Sequence, residues 1–397
     1  MKAVEPVFSP SELTRIFATL RGLNKCAVAV SGGGDSMALL TMVLEWRGAE
    51  GITALTVDHR LRPNSESEAN QVTQWCKELG VEHHVLVWAH PSMLSGFQAK
   101  ARVARYDLVS AYCIAHGLPL LLTAHTREDQ AETVAMRKLR TNSPKSLASI
   151  WPQTQWNTIT VLRPLLQESR ARLREHLISI QQHWLEDSSN SNEAFERVRI
   201  RNASPDPLLS AVAEKAQADV IAAQEVARGW AAQHLQIETT GLLRFPSESL
   251  SPLNPTARDE VLLMLIALAG GKPPERARRT ALLSWIENPQ ALRRTLGGVI
   301  FAHRKSHILV MREPARIAAG PQHLPDGKPM VWDHRFEISG PVGSTVSSMS
   351  EHKPLKRPPE IPSSAWAGLP VVSRSGEILG SLHETTHSEV KIKFIKK

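Results

Sequence analysis

The chain has 397 residues, 42% of them hydrophobic, with 47 Lys and Arg against 39 Asp and Glu for a formal net charge of +8. That length favours two or three domains over one, and the apolar share supplies real cores, which excludes wholesale disorder. The basic excess suits a polyanionic partner such as nucleic acid without requiring one. Cys26, Cys76 and Cys113 lie far apart and form no CxxC pair, which argues against a disulfide framework, a structural zinc site or a locally held iron–sulfur cluster. No apolar run approaches the roughly 18 residues of a membrane span. The opening "MKAVEPVFSPSELTRIF" lacks the apolar core of a signal peptide. A soluble protein of the reducing cytosol, with no membrane partner, is expected.

In chain order, the first half alternates strand and helix signals. Strand-like runs fall at 26–30, 52–57, 83–88, 119–124 and 158–162. Helical patterns run from Ser36 to about Trp46, Ser65 to Leu79, Gln98 to His116 and Arg127 to Arg140, with Gly80 and Gly117 where helix C-caps would sit. Continuous apolar strands between amphipathic helices predict βαβ units and a buried parallel sheet, an α/β fold that binds ligands beyond the carboxyl ends of its strands. After about Asn202 the pattern changes at the turn-rich "ASPDPLL". Helices are expected at Leu208–His234, Thr256–Ala269 and Glu275–Glu287, then a β-hairpin at 297–314 turning around Arg304 to Ser306. A Pro- and Gly-containing linker follows, then short strand-like pieces at 331–339, 369–380 and 390–395. The expected domains are a catalytic α/β unit over 1–205, a mostly helical unit over 206–315, and a linker with a small β-containing tail over 316–397.

The first strand ends in "SGGGDS" (31–36) and passes straight into a helical pattern. A strand, glycine-rich loop and helix place backbone N–H groups around an anion, aided by the positive end of the helix. A Walker A loop would need a lysine that this one lacks. Asp35 would repel a bare phosphate, so a divalent cation between them is the natural resolution, with Mg2+ the expected ion. The bland alternative is a plain turn. Three further strings lie past strand ends on the same sheet edge: "VDHRLR" (57–62), "TAHTREDQAET" (123–133) and "WLEDSSN" (184–190).

"SGGGDS" resembles the SGGxDS signature of the PP-loop ATP pyrophosphatases, which cleave ATP between the α and β phosphates. Together with "VDHRLR", "ARVARYDLV" (101–109), "TAHTREDQAET", "RPLL" (163–166) and "WLEDSSNSNEAFERVRIR" (184–201), it resembles one family in that group, the tRNA(Ile)-lysidine synthetases. The likeness is dense over about residues 24 to 202. It implies a Rossmann-like PP-loop domain and an ATP-dependent ligase that joins free L-lysine to C2 of the wobble cytidine of tRNA(Ile) with the CAU anticodon. An adenylated cytidine would be the intermediate, and AMP and pyrophosphate the products. ATP and Mg2+ are the implied cofactors, and the sequence leaves the choice between monomer and homodimer open.

The resemblance also implies roles for residues. Ser31, Gly32, Gly33, Gly34, Asp35 and Ser36 would cradle the pyrophosphate, with Asp35 and Asp129 as metal ligands. Asp58 and His59 would meet the nucleotide, and Arg62 the substrate side. Arg102 and Arg105 share a helix face by their i,i+3 spacing; they would meet phosphates or tRNA, Arg105 among the catalytic groups, and otherwise form a solvated basic face. His125 would stabilise charge or handle a proton beside the α-phosphate. Asp129 and Glu132 would contact metal or substrate there, or simply complement a helix dipole. Asp187 and Asn190 would order the cytidine or lysine pocket, or form only an Asx-turn. Arg197 and Arg201, with Arg199 between them, would meet the tRNA backbone. Arg276, Arg278, Arg279, Arg293, Arg294, Arg304 and Lys305 mark the middle region as tRNA-facing.

Two departures from the family pattern stand out. "RTNSPKS" (140–146) replaces a stretch of the type Arg-Gly-Ser-Gly, and His125-Thr126 with Glu128-Asp129 replaces a His-His or Asp-Asp pair. The rival readings are another PP-loop tRNA-modifying enzyme and a catalytically degenerate tRNA-binding protein. A thiolase would want cysteine pairs or a persulfide carrier, and an amidating synthetase a glutaminase partner.

Overall fold

The computed structural model describes residues 6–60, 64–88, 97–141, 143–186, 196–203, 206, 208–326, 328–352, 356–383 and 387–395, without the side chains of 97–102, 197 and 198. The chain divides after Asp219 into two compact units.

In the first unit, α1 (Pro10–Ile16) leads to β1 (Cys26–Ala29), α2 (Gly34–Arg47), β2 (Ile52–Asp58), α3 (Ser65–Glu78), β3 (Glu82–Val87) and α4 (Phe97–Ala115). Next come β4 (Leu120–Leu122), α5 (Arg127–Lys138), α6 (Pro144–Leu147), β5 (Gln153–Trp156), β6 (Ile159–Leu162), α7 (Arg170–Ser179) and α8 (Glu196–Asn202). The six strands form one sheet in the order β3-β2-β1-β4-β6-β5. All neighbours run parallel except β5, which returns antiparallel on β6 as an edge. Strand order therefore reverses between β1 and β4, and the crevice beyond their carboxyl ends is where such a sheet receives a ligand.

The sheet is buried on both faces because its strands are apolar at consecutive positions. Cys26, Val28 and Val30 pack with α2, α3 and α7 in one core, while Ala27, Leu55 and Leu121 pack with Tyr106, Val109 and Cys113 of α4 in another. Every position of α2 from Ser36 to Val43 is buried, as expected of a helix apolar on all sides. β5 escapes the sequence pattern because its "QTQW" is a polar edge strand with Gln153 and Gln155 exposed. α1 escapes it too, although Ser9 and Glu12 form a full capping box at its start.

α9 (Leu209–His234) carries the chain into the second unit. There follow β7 (Gln236–Ile237), β8 (Leu243–Pro246), α10 (Pro255–Leu268), α11 (Arg276–Glu287), β9 (Arg293–Leu296), β10 (Val299–Arg304), β11 (His307–Arg312) and β12 (Gln322–His323). Then come β13 (Met330–Trp332), β14 (Phe336–Ser339), β15 (Thr345–Ser348), α12 (Ser363–Ala367), β16 (Pro370–Arg374), β17 (Glu377–Ser381) and β18 (Lys391–Phe394). The sheets are β7-β8-β11-β10-β9, β12-β15-β16-β17 and β13-β14-β18. β10 and β11 are the hairpin expected from the sequence, with Lys305 at φ 52 in its turn. Ile300 and Met311 of that hairpin share a core with Trp332, Ile338, Val371 and Phe394.

Candidate active site

The cleft lies where strand order reverses. It has a volume of about 570 Å3 and is lined by the ends of β1, β2 and β4, the loops that follow them, and residues of α3, α4, α7 and α8. Its walls come from sequence-local rules. Gly33 is the N-cap of α2 at φ −69 and ψ 155; its carbonyl takes up Ser36 N and Met37 N, and the N–H groups of Gly34 and Asp35 have no partners within the helix. The Ser36 hydroxyl folds the loop back by donating to Gly33 O at 2.8 Å and accepting from Ser31 N at 3.1 Å. Gly32 sits at φ +83, and a Cβ there would lie 2.6 Å from Leu185 Cδ1 and 2.8 Å from Val72 Cγ2. Only glycine allows that backbone and that approach. The segment after α7 docks here, with Leu185 N donating to Gly32 O at 2.8 Å and Trp184 packed over Gly34.

One end of the cleft is an acid cluster organised by Arg170. Its Nη2 donates to Asp129 Oδ1 at 2.6 Å, its Nη1 to Glu132 Oε1 at 2.8 Å, and its Nε to Asp35 Oδ2 at 3.3 Å. Its backbone N–H donates to Glu128 Oε2 at 3.0 Å. Glu132 Oε1 also accepts from Arg201 Nε at 2.9 Å. Asp129 is held by a capping box: its Oδ2 accepts from Thr126 N at 2.8 Å while Thr126 Oγ1 accepts from Asp129 N. Burial pushes the Asp35 carboxyl above the usual carboxylate value; Arg170 pulls it back, and Asp129 and Glu128 push it further. Burial alone would weaken the Arg170 guanidinium, but Asp129, Glu132 and Asp35 outweigh it and raise its affinity for the proton.

The other end carries Asp58, His59 and Arg105. Asp58 is buried, and its Oδ1 accepts from Arg60 N at 2.8 Å, which bends the loop after β2 with Arg60 at φ 48. Arg105 donates to His59 Nε2 from both Nε, at 3.1 Å, and Nη2, at 2.9 Å. That use of the Nε2 lone pair places the ring proton on Nδ1. Tyr106 lines the cleft and stacks on Trp156 with ring centroids 4.9 Å apart. Between the two ends, His125 follows β4, its Nδ1 3.1 Å from Thr123 Oγ1.

These observations meet the comparisons with known proteins. Residues 8–205 match the family described as a PP-loop domain. A tRNA(Ile)-lysidine synthase from Bradyrhizobium sp. is 32% identical over 346 residues, covering 79% of this chain and 96% of that one. The chain belongs to the tRNA(Ile)-lysidine synthase family. Another member, from Brucella anthropi, is 33% identical over 358 residues, 83% of this chain and 77% of its own. A third, from Mesorhizobium japonicum, is 30% identical over 404 residues, 94% and 87%.

In this member of the tRNA(Ile)-lysidine synthase family, Ser31, Gly33, Gly34, Asp35, Ser36, Asp58, His59, Arg105, His125, Asp129 and Arg201 all line the cleft. Gly32 forms the turn beneath it, and Glu132, 1% exposed, lies under its floor. Arg62, Asp187 and Asn190 lie outside the described residues, as do the side chains of Arg102 and Arg197, whose backbones belong to α4 and α8. Sequence reasoning missed Arg170 and Arg174, and within the "WLEDSSN" string it did not single out Trp184 and Glu186; all four line the cleft as well. A signal for Arg170 existed. It is the first residue of α7, directly after the N-cap Ser169, where a cation opposes the helix dipole and so asks for acidic neighbours. Within "RTNSPKS" Asn142 lies outside the described residues; Pro144 opens α6, Arg137 donates to Ser146 O at 2.7 Å, and Gln130 pairs in both directions with the backbone of Ile150.

Proposed function

We propose that the chain ligates lysine to C2 of the wobble cytidine of tRNA(Ile), using ATP and releasing pyrophosphate and AMP, in the cytoplasm. The observation that carries this reading is the SGGGDS loop at the reversal point of the sheet, facing the Asp35–Asp129–Arg170 cluster in one cleft. Family membership supports this choice of substrates, and the geometry of the cleft supports the division of labour that follows. Free, buried Cys26, Cys76 and Cys113 suit a reducing compartment.

In the first step the cytidine O2 attacks the α-phosphorus and the bond to the β-phosphate breaks. The first-turn N–H groups of α2, with Ser31 and Ser36, would hold the departing pyrophosphate. In the second step the ε-amine of lysine attacks C2, and AMP leaves with the former O2. Arg105, oriented by His59, and His125 would face the α-phosphate and steady the negative charge that both steps build there. Asp129 would receive a cationic amine or a metal. Arg201 would link the cleft to the tRNA backbone.

The residues fit a magnesium ion. Asp35 and Asp129 offer carboxylate oxygens on either side of Arg170, and the acid excess there leaves Asp35 short of positive charge. Among the described residues no group of three His, Cys, Asp or Glu side chains is arranged to hold a metal alone, which suits an ion that brings phosphate oxygens and water as its other ligands. Bound there, it would neutralise phosphate charge as pyrophosphate departs.

The test is pyrophosphate release from ATP with and without tRNA(Ile) and lysine. Release that needs both supports the proposal. Release with ammonia or a sulfur donor instead of lysine would place the chain among other PP-loop enzymes, and tRNA binding without release would make it a binding protein.

A further inference from the structure

The cluster at the acid end of the cleft has a feature that the ligase chemistry does not use: its central cation is a protein side chain. Arg170 bonds three carboxylates from two elements at once, Asp35 on α2 and Asp129 with Glu132 on α5. The three contacts are unequal. Those to Asp129 and Glu132 are 2.6 and 2.8 Å, whereas that to Asp35 is 3.3 Å and comes from Nε alone. The backbone N–H of Arg170 is tied to Glu128 at 3.0 Å independently of the side chain, so the start of α7 stays on α5 whatever the guanidinium does. The side chains of Arg170 and Asp35 are 19% and 31% exposed, and both line the cleft, while Glu132 is closed off at 1%. The contact most open to an incoming ligand is therefore also the longest.

We propose that Arg170 is a positioning residue that stands in for the divalent cation: in the ligand-free protein its guanidinium bridges Asp35 and Asp129, and when a metal–ATP complex enters it gives up Asp35 while keeping Asp129 and Glu132. This rests on the reading of the cleft as a metal–ATP site. It explains how two carboxylates can share a partly desolvated cleft before substrate arrives, since like charges so placed repel strongly unless a cation lies between them. It also makes metal binding conditional on nucleotide, because a bare ion must displace the guanidinium from Asp35 unaided, whereas phosphate oxygens complete the metal's shell and accept from the freed Nε–H. Protein without ATP would then bind divalent cations weakly.

The experiment titrates Mn2+ into nucleotide-free protein, read by electron paramagnetic resonance, for wild type, Arg170→Met and the double variant Arg170→Met/Asp35→Asn. We expect Arg170→Met to bind Mn2+ at least about tenfold more tightly than wild type and the gain to vanish in the double variant. A residue that merely braced the fold would lower Mn2+ affinity or leave it unchanged on removal, and either result overturns the proposal. Thermal unfolding reports whether Arg170→Met is folded. If it is not, Arg170→Lys keeps one charge but cannot bridge three carboxylates, and an unchanged Mn2+ affinity in that variant also overturns the proposal. ATP binding by wild type in the presence of Mg2+ is measured alongside by equilibrium dialysis. Failure there sinks the ATP-site reading itself, and is distinct from a wild-type protein that binds ATP while Arg170→Met shows no gain for Mn2+.

Discussion

Two buried ion networks invite comparison, one in each unit. In the second unit Asp333 sits between Arg312 and Arg335, with donor–acceptor distances of 2.8 to 3.1 Å, and the three side chains are 3–10% exposed. Cations exceed anions there, but main-chain carbonyls absorb the surplus: Arg312 also donates to Gly298 O and Arg316 O, and Arg335 to Gly368 O. In the cleft the imbalance is reversed. Asp35, Glu128, Asp129 and Glu132 surround Arg170, and Arg201 donates to Glu132. A closed node with its donors satisfied is structure. An acidic cluster that opens onto a cleft is a different thing: burial pushes the Asp35 carboxyl up, Arg170 pulls it back and Asp129 pushes it further, the kind of perturbation that gathers at functional sites.

The difference can be broken by substitution. The largest effect is expected from Asp35→Asn, which should lower lysidine formation by roughly 10^3-fold or more by removing the proposed metal ligand. The same change should leave thermal stability equal or higher, because the fold on balance disfavours the charge on Asp35. Wild-type turnover in that variant would refute the metal role. Asp333→Ala should do the opposite, costing about 3–5 kcal/mol in chemical denaturation by leaving two buried guanidinium groups without their carboxylate. A loss below about 1 kcal/mol would show that the carbonyls suffice.

Within the cleft, Gly32→Ala and Gly34→Ala sharpen the picture. The first forces a Cβ against Leu185 and Val72 at positive φ, whereas the second meets Trp184 at an ordinary 3.5 Å. ATP affinity should fall about tenfold or more for Gly32→Ala, and clearly less for Gly34→Ala. Equal losses would mean that the loop's tightness is not what matters. The smallest effect concerns His83, whose imidazole is pushed down to about 4 from 6.5 by burial, then by His84, with Nε2 2.8 Å from Thr56 Oγ1. The folded protein keeps the ring neutral while the unfolded chain protonates near 6.5. Its contribution is thus complete above pH 6.5 and lost as pH falls towards 4. His83→Gln should flatten that part of the stability profile, and an unchanged slope would assign the loss to other groups.

Much of this was legible in the sequence where local and global signals agree. The apolar strands, the SGGGDS turn and the string "TAHTREDQAET" announce the parallel sheet and its ligand edge. The residues that bind the cleft together were harder to see, because their partners are distant in sequence: Arg170 meets Asp35 across 135 positions, and no periodicity reports such a pairing. Arg105 was visible as a basic residue, but its bond to His59 was not. In the second unit, β7 and β12 are two residues long, too short for any alternation to show, and exist only because longer neighbours pair with them.

The most direct test of the central claim is mass spectrometry of wobble-position nucleosides from tRNA(Ile) incubated with the protein, ATP and lysine. The account predicts a cytidine heavier by one lysine less one water, dependent on ATP and absent with Asp35→Asn. An unmodified cytidine, from protein that is folded and binds both ATP and tRNA, would contradict it.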